Sequence, residues 1–151
     1  MITLLATVVV EFISVWRIFI VAVLLVSCSP AVGAPKQAKV LVRGPTIIAF
    51  FPPVTQAELE KDHDTAEALS DFQFYAAKVR APLSKSAIAF HEMYARSFLV
   101  AVGGRSIVFR PDKGDVGYYF VAPDKEPRVE YGVMTDSDLL QTARAYFGTA
   151  K

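Results

Sequence analysis

The sequence predicts an α/β fold, a mixed β-sheet with helices packed on it, and three features carry that expectation. Thr46–Phe51 is an unbroken β-branched and aromatic run, the pattern of a buried central strand. After it, Leu59, Ala66, Leu69, Phe72, Ala76, Val79 and Leu83 recur at helical spacing and form one apolar stripe. Toward the C terminus, strand–turn–strand patterns lead into a capped helix that closes at Gly148.

Taken in order, residues 40–42 are a short apolar run ended by Arg43-Gly44-Pro45. Pro52-Pro53 terminates the second strand, because proline has no N–H to give a ladder. Thr55-Gln56-Ala57-Glu58 is a capping box that opens a long helix. Glu58, Glu60, Asp62 and Asp64 crowd its start and Lys78 and Arg80 its end, matching the helix dipole. The stripe allows one kink, and Pro82 is expected to mark the stop. Residues 88–94 alternate as a strand. Phe98–Val102 and residues 107–109 flank Gly103-Gly104-Arg105-Ser106 as a hairpin. Residues 118–121 form another strand, turned by Pro123-Asp124-Lys125-Glu126 into residues 128–133. Thr135-Asp136-Ser137-Asp138 then caps a final helix over residues 138–147. The expected order is β-β-α-β-β-β-β-β-α.

The front of the chain has a different character. Residues 18–26 are nine consecutive apolar residues preceded by Arg17, the length and polarity of a signal-peptide core and too short to span a bilayer. Leu25-Val26-Ser27-Cys28 follows at once and resembles the bacterial lipoprotein box. That resemblance implies diacylglyceryl alkylation of the Cys28 thiol, cleavage before it and acylation of the new amine. Cys28 is the only cysteine in the 151 residues. The expected organisation is a signal peptide over 1–27, a Pro- and Gly-containing tether over 28–39, and a folded domain over 40–151. The product would be exported and lipid-anchored on the periplasmic or outer face of a bacterial membrane. Residues 1–14 carry Glu11 and no cation, which points to Val15 as the functional start.

The folded part is nearly neutral, since Arg17 and Glu11 are the only charges before Cys28 in a chain of 16 Lys+Arg and 15 Asp+Glu. A protein without basic excess has little to offer phosphates, so nucleic acid is not expected as a partner.

Thr46–Phe51 followed by a long helix, and strand 118–121, a turn, strand 128–131, Gly132 and a capped helix with Leu139, are similar to the two ends of the thioredoxin fold. The resemblance implies a thioredoxin-like sheet with an inserted hairpin over residues 86–115. It also defines what is missing. That family's Cys-x-x-Cys should open the long helix, where Thr55-Gln56-Ala57-Glu58 stands, and its cis-proline should precede strand 118–121, where Val116-Gly117 stands. Disulfide exchange needs a thiolate, so the expectation is a degenerate member without thiol redox activity. If it binds a ligand at the former active-site end, Phe51, Pro52, Pro53, Thr55 and Val116 would line that place.

Other chemistry is sparse. Lys61-Asp62-His63-Asp64 sets neighbours on a helix in different directions, so they do not converge on one ion. His91 and Glu92 on a strand face opposite ways. Phe74-Tyr75 and Tyr118-Tyr119 must each turn one ring away from any shared face. No cofactor is called for. The expected function is a non-catalytic envelope lipoprotein that binds an envelope protein or a small ligand. The alternatives are a hydrolase or metal-dependent enzyme using His91, and an envelope immunity or inhibitor protein.

Overall fold

The computed structural model describes residues 38–111 and 115–148. The signal segment, Cys28 and nearly all of the tether lie outside the described residues. β2 (Thr46–Phe51) and β6 (Gly117–Ala122) are buried at all six positions each. They form the centre of a four-stranded sheet. β3 (Ala89–Tyr94) runs parallel to β2, β6 antiparallel to β2, and β7 (Lys125–Tyr131) antiparallel to β6. Three further strands form a second sheet. In it β1 (Lys39–Val42) is parallel to β4 (Phe98–Val102), which pairs antiparallel with β5 (Arg105–Phe109).

Side-chain alternation along β2 and β6 decides the layering. Ile47, Ala49, Phe51, Tyr118 and Phe120 face the helices α2 (His63–Lys85) and α3 (Asp136–Phe147), meeting Phe72, Val79, Leu83, Leu139 and Ala143. Ile48, Phe50, Tyr119 and Val121 face the other way, against Val40, Val42, Phe98 and Val100 of the smaller sheet. Phe109 closes this second core, its ring 4.6 Å from Tyr119 and 5.2 Å from Phe50.

The arrangement is the α/β, thioredoxin-like one that the sequence predicts, with one refinement. The inserted hairpin does not extend the main sheet but joins β1 in a second one. The physical reason lies in β2 and β6, which are apolar on both faces. One helical layer leaves the other face uncovered, and three strands bury it. Tyr118 and Tyr119 are therefore both buried, one in each core.

The expected long helix is two. α1 (Gln56–Lys61) stops at Asp62, whose backbone is extended and whose carboxylate caps α2 by accepting from Thr65 N at 3.1 Å. Pro82 is not the stop, since α2 runs to Lys85. Proline withholds its own N–H but still accepts through its carbonyl, here from Ser86 N at 3.2 Å, so a last turn forms beyond it. The hairpin between β4 and β5 turns on Gly103 and Gly104, both at positive φ (56° and 77°), the primed geometry that two-residue hairpins favour.

Candidate functional site

The residues singled out in the sequence gather at the C-terminal end of β2. Phe51 is the last residue of the strand and packs 5.4 Å from the Phe72 ring. Pro52 is half-buried and Pro53 exposed. Phe50 pairs with Gly117, so one further step of the register sets Val116 across from Phe51. Val116 is half-buried against the helix-side core, and its carbonyl accepts from Gly132 N at 2.7 Å.

Thr55, the position where a thiol would open the helix, is occupied by capping. Its N–H and hydroxyl donate to Glu58 Oε2 at 2.7 and 2.9 Å, and its Oγ1 accepts from Glu58 N at 3.3 Å. Those bonds, the backbone one first and then the hydroxyl, hold the Glu58 carboxyl below its ordinary range, with Arg96 adding a smaller attraction. The junction thus offers a closed hydrogen-bonded turn rather than a nucleophile.

A polar group that sequence reasoning missed stands beside this end, on the helix-facing side of edge strand β3. Arg80 of α2 pairs with Glu92 Oε1 at 2.6 Å, and Tyr94 Oη donates to Glu92 Oε2 at 3.0 Å. The Tyr94 ring meets Phe72 edge-on at 6.1 Å. Burial, chiefly, raises the Tyr94 hydroxyl above its usual value, and Glu92 adds to the rise. The three residues come from two elements, and no local pattern joins Arg80 to Glu92. Inside the core, Tyr118 Oη accepts from Met134 N at 3.4 Å, and burial raises its pKa.

His91 is exposed on the opposite face of β3 from Glu92, and His63 is exposed at the α1–α2 junction. Among the described residues, no three His, Cys, Asp or Glu side chains come together as a metal site would require. Phe74 is the exposed member of its aromatic pair, with Lys78 Nζ 4.2 Å from its ring centre.

Among the described residues, two cavities lie away from the predicted ones. The larger, about 670 Å³, opens between the β4–β5 and β6–β7 turns and is lined by Val102, Arg105, Ile107, Ala122, Asp124 and Lys125, among others. Thr46 of β2 pairs with Val121 of β6, so this cleft sits at the end of the main sheet opposite Phe51. Sequence spacing identified both turns, but their apposition depends on the stacking of the two sheets. The smaller cavity, about 370 Å³, lies where α2 and α3 end, between Pro45, Lys85, Ser86, Arg144 and Phe147.

No family model, no curated protein and no solved structure matches the chain.

Proposed function

We propose that the chain is a non-catalytic envelope lipoprotein, attached to its membrane through Cys28, whose thioredoxin-like domain binds a protein or small ligand without thiol chemistry. The observation that carries the non-redox part is the Thr55–Glu58 capping box at the mouth of the helix. A hydroxyl committed to a cap cannot replace the low-pKa thiolate that exchange requires. Export and anchoring are supported by the apolar run ending in Leu25-Val26-Ser27-Cys28.

Binding at the former active-site end would use Phe51, Pro52, Pro53, Thr55 and Val116. The cleft between the two turns favours a second location, because its size and mixed lining suit a small ligand or a peptide end. Photo-crosslinking from the anchored protein in its own envelope separates the two. Thr55→Ala with Val116→Asp should abolish adduct formation if the first location is used, and Ile107→Asp with Lys125→Glu if the second is. An adduct that survives both pairs removes both locations. Palmitate labelling tests the anchor. Wild type should take up label and Cys28→Ala should not, and an unlabelled wild type with a free Cys28 thiol would end the lipoprotein reading.

A further inference from the structure

The smaller sheet presents one face to the protein and the other to solvent, and the outward face is unusual. Its inward face supplies Val40, Val42, Phe98 and Val100 to the second core. By alternation and register, the outward face consists of two rows across the three strands: Lys39–Leu99–Val108 and Leu41–Ala101–Ser106. Four of these six are apolar. Leu41 is 56% and Val108 45% exposed, although a solvated sheet face ordinarily alternates to polar residues.

The charges on the three strands and on the residues next to them in sequence are all cationic. No acid occurs in any of the three strands. β1 and β4 are parallel and β5 antiparallel, so Lys39, which starts β1, and Arg110, which follows β5, lie at the same end of the sheet. Arg43 follows β1 and Arg105 starts β5 at the other end. All four cations are exposed. Arg105 shares its cleft with Asp124 and Glu126, so it is the least available of the four.

An apolar patch rimmed by cations matches the boundary of a bilayer whose headgroups are anionic. Apolar side chains enter the interface, and Lys and Arg meet the phosphates. Chain length supplies the second argument, and it rests on the anchor proposed above. Cys28 lies eleven residues before Lys39, which at about 3.5 Å per residue limits the span to about 38 Å. The anchor therefore enters the domain at the edge strand of this face. We propose that the outward face of the three-stranded sheet lies on the surface of an anionic phospholipid bilayer, with Leu41, Leu99 and Val108 in the interface and Lys39, Arg43 and Arg110 at the headgroups.

The test uses the full chain with Cys28→Ala, so that one introduced thiol carries an environment-sensitive fluorophore. Labels are placed at Val108→Cys, at Leu41→Cys, and at Phe74→Cys on the helical side. Vesicles contain phosphatidylcholine with or without phosphatidylglycerol, plus a lipid-borne nitroxide quencher. With phosphatidylglycerol, labels at positions 108 and 41 should be quenched at least twofold more than the label at 74. Omitting it, or adding Lys39→Glu and Arg110→Glu, should remove the difference. Equal quenching at all three positions overturns the proposal. So does a label at 108 that resists quenching and instead cross-links to a second copy, an outcome that would assign the face to a dimer. Because Cys28 is absent throughout, failure of lipid attachment in the palmitate experiment leaves this result intact, and an unquenched face leaves the anchor standing.

Discussion

Gly117 and Ala87 stand in opposite relations to their backbones. A Cβ at Gly117 would lie 2.2 Å from the Glu130 carbonyl oxygen and 2.9 Å from Phe50 Cζ. The first contact is backbone in the neighbouring strand and cannot rotate away, so β6 and β7 approach this closely only because the side chain is absent. Gly117→Ala should destabilise the protein by about 1–3 kcal/mol, the usual scale of overpacking, measured by urea denaturation. Ala87 shows the converse. Ile88 N donates to Leu83 O at 3.0 Å and Ala87 N to Ser84 O at 3.1 Å, which is the Schellman pattern closing α2. Ala87 occupies its left-handed position at φ 55°, where glycine is the usual residue. Removing the methyl relieves strain of about 1–2 kcal/mol and returns part of it as added freedom of the unfolded chain. Ala87→Gly should therefore raise the melting temperature, and an unchanged or lower value would mean that the turn is not strained as its φ implies.

At the level of elements, the helix starts are electrostatic devices. Glu58 and Asp62 both titrate below ordinary carboxylates in the folded state. Thr55 holds Glu58 through its backbone and then its hydroxyl, while Thr65 holds Asp62 through its hydroxyl and then its backbone. In the unfolded chain both return to about pH 4. Depressed folded values mean that the stability they add is complete above that pH and is lost as pH falls through the folded values. Acidification should loosen α1 and the first turn of α2 before the sheets, seen as faster amide exchange at Glu58 and Thr65. Asp62→Asn, which caps without a charge, should flatten the response at Thr65. The Thr55 cap was plain in the sequence, because a Thr three residues before a Glu is a local signal, whereas Asp62 read only as one of the acids crowding a single helix start. The break between α1 and α2 was legible only as a kink, since one residue, Asp62, both ends one helix and begins the next. Pro82 misleads for a related reason. Its missing N–H reads as a stop, whereas its carbonyl still supports one more turn.

Across the whole molecule, what local pattern could not supply was which surfaces meet. The continuous apolar runs of β2 and β6 marked central strands, and the thioredoxin-like order followed. That β1 and the hairpin would leave the main sheet and cover its second face required knowing that two helices suffice for only one side. The same gap hid the Arg80–Glu92–Tyr94 group and the cleft between the turns, each assembled from elements distant in sequence. This three-layer build has a measurable consequence. Phe72 belongs to the helix-side core and Phe98 to the core between the sheets, and both are fully buried. Truncating either to Ala should cost about 3–5 kcal/mol. The two cores are not independent, because alternate residues of β2 and β6 feed each of them, so neither core can melt while the other keeps those strands in place. Phe72→Ala and Phe98→Ala should therefore each shift one common transition, with far-UV and near-UV signals remaining coincident. If Phe98→Ala instead splits the unfolding curve, with the helices melting later than the smaller sheet, the second sheet is an accessory layer and the cooperative unit is the thioredoxin-like half alone.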